Sequence, residues 1–307
     1  MLSGILVPVS TPKLVTPTIS IVSAGVDALR SRNDALVSDR WINGIAYQVE
    51  DNASLHISDP CSTATDRLAL ESQAAVAEWV PYMITAEDRC PPFGFLEHDY
   101  LGRVTRRLEV GTPKALEREL WSGEAAKAAP VTDAQPGGSP AFTTNLWLAS
   151  PHAALLNPVA GTPVTMRRAF ELLEQAISDN GLGSQGMIHC RPEALPYIPT
   201  LRRDGNVIRT IRDVILVPGV GYPNTGPDGS AAAAGTTWLY ATGMVEYWLD
   251  TKYQYTPEAV ETEKDPRAWM SQAIDRTTND VVVRAHRYGM ATWDGLCHYA
   301  VQANLDT

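Results

Sequence analysis

His189–Cys190 and Cys297–His298 are the two places where this sequence sets a thiol beside an imidazole. Were their strands adjacent, two cysteines and two histidines could supply the four ligands of a tetrahedral zinc site. Neighbouring residues of a strand point to opposite faces, however, so each pair is poorly built to present both ligands to one ion. Core cysteines and edge histidines are the expected reading, with no metal ligands assigned. Cys61 and Cys90 are remote from these pairs in sequence, which fits reduced thiols better than a disulfide framework.

Two further chemistries can be tested on spacing alone. In "VILVPGVGYPNTG" a strand leads into Gly219 and Gly221 with the spacing of a dinucleotide-binding turn. The third glycine position holds Asn224, and Pro223, Gly226 and Pro227 prevent the helix whose N-terminus would hold a pyrophosphate. A turn is the expected reading. No GK[ST] run forms a phosphate loop, and Ser139 in "GGSPA" and Ser184 in "LGSQG" both miss the G-x-S-x-G pattern of a nucleophilic serine.

The carboxylates come in pairs two apart, Glu117 with Glu119 and Glu261 with Glu263. That spacing puts them on different sides of a helix or in a loop, so they read as solvated and not as an acid and base sharing one substrate. Trp238, Trp248 and Trp293 could stack a ligand, but large residues in strand-rich segments are more commonly buried in a sheet. No catalytic, cofactor-binding or metal-binding residue is assigned, and a conventional enzyme is not expected.

The elements around these residues follow from periodicity. Residues 1–35 read as an extended arm with strand-like pieces such as Pro17–Val22. In "WINGIAYQVEDNASLHISDP", Ile45, Tyr47 and Val49, then Leu55 and Ile57, flank Asp51–Asn52 as a long hairpin or loop. "TATDRLALESQAAVAEWV" leans helical, and "WVPYMIT" alternates like a strand despite Pro81. From His98 to Trp121, Leu101, Val104, Leu108, Ala115 and Leu116 keep helical spacing across Pro113. Either one kinked helix or two helices, with Thr112 as N-cap and Pro113 in the first position, satisfies the pattern; the single helix is preferred.

Within "ALERELWSGEAAKAAP", Leu116 and Leu120 fall four apart on an apolar stripe, Glu117 to Glu119 read as a solvated one, and Ser122–Gly123 stop the helix. Residues 125–145 read as a linker or surface loop. Met166, Ala169, Phe170, Leu173, Ala176 and Ile177 form one apolar helix face, with Thr162–Pro163 near its start and Asn180–Gly181 at its stop. A short strand at Met187–His189, a proline-rich turn and the strand "DVILVPGVG" come next. "TTWLYATGMVEYWL" and "NDVVVRAHRYGMATWDGLCHYAVQANL" then supply more strands, so the expected class is α+β.

Composition sets the outer limits. The 307 residues can bury a substantial core, and 44% hydrophobic with 20% charged residues is ordinary for a globular chain. The 22 prolines and 22 glycines point to many turns. A formal net charge of −10 argues against an average surface that grips nucleic acid phosphates, and the pairs Arg106–Arg107, Arg167–Arg168 and Arg202–Arg203 are scattered among acids. No run approaches the length of a membrane span. The first residues lack a basic start and are cut by Pro8 and Pro12, so they read as an arm made in the cytosol, not as a signal peptide.

The order of elements resembles the major capsid protein of tailed, actinobacterial-type bacteriophages, with the Hong Kong 97-type fold that encapsulin shells share. The stretches that carry the likeness are "ALERELWSG", "NGLGSQGMIH", "VPGVGYPNTGPDG", "WLYATGMVEYWL" and "DRTTNDVVVRAHRYGMATWDGLCHYAV", in that order. In that family a long spine helix ends in an acidic–aromatic–glycine pattern, and Glu119, Leu120, Trp121 and Gly123 hold those places here. The resemblance covers roughly residues 85 to 305 and brings no catalytic residue with it.

By that resemblance, residues 1–40 are an N-terminal arm. Residues 41–95 are the extended-loop region and the start of the peripheral domain, and 96–160 are the peripheral domain with the spine helix. Residues 161–235 are the axial domain, and 236–307 are a strand-rich return that completes both. The arm and loop would reach over neighbouring subunits, the axial domain would face a five- or six-fold centre, and the helix would be a strut anchored by Trp121. The implied partners are the chain itself in hexamers and pentamers, a portal, a decoration protein and a separate scaffolding protein, around double-stranded DNA bound without sequence specificity. A virion assembled in the host cytoplasm is the implied location. With lysines at 13, 114, 127, 252 and 264 only, no lysine–asparagine cross-link can be placed.

Overall fold

The computed structural model of the chain describes residues 19–20, 45–49, 75–79, 81–90, 99–128 and 146–180. It also describes 186–305 apart from 199, 205–206, 244, 251, 258–271 and 294–296. The strands are β1 (Ile19–Ser20), β2 (Ile45–Val49), β3 (Ala75–Trp79) and β4 (Tyr82–Cys90), followed by helices α1 (Tyr100–Ser122) and α2 (Glu124–Ala128). After β5 (Ala154–Leu155) and β6 (Val164–Thr165) come α3 (Met166–Asn180), β7 (Met187–Cys190) and a 3-10 helix at Pro192–Tyr197. The chain continues through β8 (Arg202–Asp204), β9 (Val207–Arg209), β10 (Ile215–Pro218), β11 (Thr236–Thr242) and β12 (Glu246–Leu249). It ends with β13 (Gln254–Thr256), β14 (Ile274–Asp275), β15 (Asp280–Thr292) and β16 (His298–Asn304).

These strands form three sheets, so the α+β class holds. The first is β1-β2-β3, all antiparallel. In the second, the long β15 pairs with β4 along one side and with β12, β13 and β14 along the other. The third runs β5-β16-β11-β7-β10-β9-β8, with β6 also against β16; β7 and β10 are parallel, Met187 facing Ile215.

Helix α1 lies across the second sheet. Val104, Leu108, Leu116 and Leu120 share one core with Val281, Val283, Ala285 and Met290 of β15. Each such side chain that leaves water stabilises the subunit by about 1.5–3 kcal/mol before the entropy of ordering it is counted. Arg103 and Arg107 bind the almost fully buried Asp88 of β4, both through Oδ1, at 3.1 and 2.7 Å. The single-helix reading is the correct one. Thr112 does not cap a second helix: its hydroxyl donates back to the Leu108 carbonyl at 2.6 Å. Pro113 removes the N–H that would have bonded the Glu109 carbonyl, and helix continuity survives because both flanks pack on the sheet.

The central strands of the third sheet, β7, β10, β11 and β16, are buried on both faces, and their alternation shows this. Met187, Ile215, Val217, Trp238, Tyr240 and Ala300 enter the core shared with α1. Ile188, Cys190, Leu216, Leu239, Ala241 and Val301 enter a second core beneath α3, with Ala169, Phe170, Leu173 and Ile177. Helix α3 begins where Thr165 accepts the Arg168 N–H at 3.3 Å, a few residues inside Thr162–Pro163, and ends at Asn180 as its sequence indicates.

Three expectations change. The last residues of the helix-leaning stretch 63–80 form β3, because five residues of pairing with β2 outweigh the helical preference of alanine. Thus β2 pairs with Ala75–Trp79, while Leu55 and Ile57 lie outside the described residues. Pro81 falls between β3 and β4, at a break where no ladder N–H is required. The expected linker from 125 begins as α2, whose first amides at Ala125 and Ala126 bond the Glu119 carboxylate at 2.9 and 3.0 Å; residues 129–145 lie outside the described residues.

Candidate functional site

The feature that joins the second and third sheets is the C-terminal end of α1. Asp99 starts this helix by accepting the Gly102 N–H at 2.8 Å. Gly123 ends it in the left-handed region, its N–H on the Glu119 carbonyl at 2.8 Å. Trp121, on the last turn, is 0% exposed. Its Nε1–H lies 3.1 Å from the carbonyl and 3.0 Å from the hydroxyl oxygen of Thr225, 104 residues away. Its ring stands 4.8 Å from that of Tyr222 and 4.8 Å, edge-on, from that of Tyr240, whose hydroxyl also donates to the Thr225 carbonyl at 2.8 Å.

Four residues before Trp121, and so on the same side of the helix, Glu117 is buried as completely. Its Oε2 accepts the Gly221 N–H at 2.8 Å, and Oε1 has no partner. Loss of hydration pushes its pKa up to about 7; the Gly221 and Val220 amides pull the other way. Gly221 is required by closeness: a Cβ there would stand 2.5 Å from the Lys114 carbonyl and 2.9 Å from Glu117 Cβ.

Behind this contact, His189 Nδ1 lies 2.9 Å from the Tyr222 hydroxyl and Nε2 lies 2.9 Å from Thr242 Oγ1. The Thr242 hydroxyl donates to the Gly243 carbonyl, so it receives the Nε2 proton, and Nδ1 then accepts from Tyr222. Burial, reinforced by His298, pushes the His189 pKa down to about 3, so the ring is neutral. Glu117, Trp121, His189, Tyr222 and Tyr240 are all sealed from solvent. This arrangement holds a helix and a turn together; it offers no surface on which a substrate could meet these groups.

The zinc candidates are separated as strand geometry predicts. Cys190 turns into the core beneath α3, and His189 turns to the other face. His298 bonds the Leu148 carbonyl at 2.9 Å, and Cys297 belongs to the α3 core. The histidines are not at an edge as expected but buried, because the central strands of the third sheet are covered on both faces. Among the described residues no group of three or more His, Cys, Asp or Glu side chains is placed to hold a metal ion. Burial also pushes the Cys190 thiol well up. Native protein treated with a thiol-alkylating reagent is therefore expected to show Cys190 unmodified by peptide mass spectrometry, and modified once unfolded. Added zinc is expected to leave the melting temperature unchanged.

The glycine run is a turn, as expected: the Gly219 N–H returns to the Cys190 carbonyl at 3.0 Å, and Gly221 lies on α1. Trp238 and Trp293 are buried and Trp248 packs against the same core. Glu119 anchors α2, and Ser139, Ser184, Glu261 and Glu263 lie outside the described residues. The reading of Glu117 as solvated is overturned. A signal was available, since a buried Trp121 places its i−4 neighbour on the covered side. Among the described residues no helix is long and apolar enough to cross a membrane.

No protein-family model matches the sequence, and no curated protein matches it. Among solved structures, the chain is similar to one of Gordonia phage Cozz, at 8% identity and a TM-score of 0.43, over 86% of this chain and 81% of that one. It is similar to the holo-SrpI encapsulin complex from Synechococcus elongatus PCC 7942, at 11% identity and 0.42, over 94% and 98%. A cyanophage A-1(L) capsid asymmetric unit is similar at 13% identity and 0.43, over 85% and 87%.

Proposed function

We propose that this chain is a non-catalytic shell subunit, the major capsid protein of a tailed phage. It assembles as hexamers and pentamers into an icosahedral head around double-stranded DNA. One observation supports this reading above others: three stretches that resemble such proteins, far apart in sequence, meet at one joint. "ALERELWSG" forms the buried end of α1, "NGLGSQGMIH" leads into β7 with His189, and "VPGVGYPNTGPDG" supplies Gly221, Tyr222 and Thr225. A strut held at its end suits a subunit in which load must pass between the second and third sheets.

On this reading, α1 and the second sheet belong to the peripheral domain and α3 and much of the third sheet to the axial domain. Residues 1–40 are the arm and residues 41–95 the extended loop and the start of the peripheral domain, with arm and loop overlapping neighbours. Many modest contacts of that kind sum in a closed shell. A separate scaffolding protein, a portal and a decoration protein complete the virion, which is assembled in the host cytoplasm. The DNA is enclosed, in keeping with a net charge of −10, without sequence-specific contacts.

Light scattering and negative-stain microscopy of the expressed chain, alone and with its scaffold, test this. Megadalton shells or capsomers are expected; a stable monomer in both conditions overturns the reading. Particles that enclose a protein cargo would instead identify an encapsulin-like compartment, and a low copy number within a particle would identify a minor or vertex subunit.

A further inference from the structure

Glu117 is the buried ionisable group that neither the shell reading nor the packing of the sheets requires. A glutamine would match its shape and would accept the same Gly221 N–H. The carboxyl belongs to α1, which lies on the second sheet, and its hydrogen bond goes to the turn that follows β10 of the third. It therefore stands where the two halves of the subunit meet.

The surroundings decide which form of the carboxyl the closed joint accepts. On its own helix, Arg118 is turned to Glu124 at 2.8 Å, Glu119 is taken up by the amides of α2, and Lys114 contributes its carbonyl to the contact with Gly221. From the turn comes Tyr222, whose proton is committed to His189 of β7; from β11 comes Tyr240, committed to Thr225; from β4 comes Tyr82, near Glu119. Among the described residues no lysine, arginine or histidine side chain forms an ion pair with Glu117. A charge at zero exposure, met by the Gly221 and Val220 amides but by no cation and with no hydrogen bond to Oε1, is poorly compensated.

We propose that Glu117 is a pH-sensitive latch between α1 and the turn after β10, closed while its carboxyl carries a proton and loosened when it ionises. The sign follows from linkage. An unfolded or opened Glu117 titrates near 4.5, and burial raises the closed-state value to about 7. The closed state thus binds the proton more tightly, and its stability falls as pH rises from about 4.5 to about 7, then levels off. His189 acts oppositely: held neutral by burial, it weakens the closed state as pH falls below 6.5. The two slopes overlap, so a melting curve of the unaltered protein alone does not isolate either.

Hydrogen exchange of the full chain, read by mass spectrometry over residues 219–222 and corrected for intrinsic exchange rates, separates them. The informative quantity is the protection of the unaltered protein divided by that of Glu117→Gln at each pH. This ratio is expected to fall by about two orders of magnitude between pH 4.5 and pH 8, since each pKa unit corresponds to a factor of ten. A ratio flat across this range overturns the latch, as does one that rises with pH. Should the glutamine variant not fold, Glu117→Leu serves the same comparison, and a carbon-13 titration of the Glu117 carboxyl in the unaltered chain gives an independent answer. A midpoint near 4.5 there overturns the proposal. Neither readout depends on whether the subunit forms shells, so failure of the latch and failure of the capsid reading are distinguishable.

Discussion

Trp121→Ala is expected to destabilise the subunit by about 3–5 kcal/mol, the cost of truncating a fully buried aromatic side chain in a core that closes only partly around the gap. The loss has two parts that a second variant separates. Trp121→Phe keeps a ring between Tyr222 and Tyr240, whose centroids both stand 4.8 Å from the indole, but removes the Nε1–H shared by the Thr225 carbonyl and hydroxyl. The carbonyl still receives the Tyr240 hydroxyl. The phenylalanine variant is therefore expected to lose only about 1–2 kcal/mol beyond its smaller volume. Denaturant titration followed by far-ultraviolet circular dichroism measures both; equal losses would show that the hydrogen bonds to Thr225, and not ring packing, dominate. In the assembly assay, Trp121→Ala is expected to yield no shells, since a strut released at one end no longer fixes the two sheets relative to each other.

Gly221→Ala is the second large effect, expected at about 2–4 kcal/mol. Its added methyl would meet a backbone carbonyl of α1 at 2.5 Å and the buried stem of Glu117 at 2.9 Å, neither of which is the free end of a flexible side chain. The turn must retreat, and in retreating it loses the Gly221–Glu117 hydrogen bond. Gly111→Ala is the internal comparison. It lies on α1, nearly two turns before Glu117, exposed, with nothing within 4 Å of the new methyl, so removing a helical glycine is expected to stabilise by about 0.5–1 kcal/mol. A destabilisation of similar size at both positions would refute close approach as the reason for Gly221. The Trp121 and Gly221 changes act on one joint, so the double variant is expected to lose less than the sum of the two.

Much of the secondary structure could be read from local spacing because local spacing causes it. The apolar repeat from Met166 to Ile177 is the face that α3 buries, and the run from Leu101 to Leu116 is the one that lies on the second sheet. Strand geometry alone was enough to separate His189 from Cys190. The segment before Trp79 misled because alanine-rich residues favour a helix only where no neighbouring strand competes, and β2 competes there. The fate of residues 125–128 was hidden for a similar reason. A five-residue helix is unstable alone and forms here with its first amides held by Glu119.

By itself, then, the amino-acid order determined where most of the helices and strands arise and which face of each is apolar, while the anchoring role of Trp121 at a helix end came from the resemblance. Only the tertiary structure decided that a turn 104 residues away closes over that same side, converting Glu117 from a presumed solvated acid into a buried one. Periodicity reports what a residue prefers, averaged over surfaces it could meet. The ionisation of a carboxyl depends on the particular surface that excludes its water, and that surface is set by the long-range pairing of β7, β10 and β11.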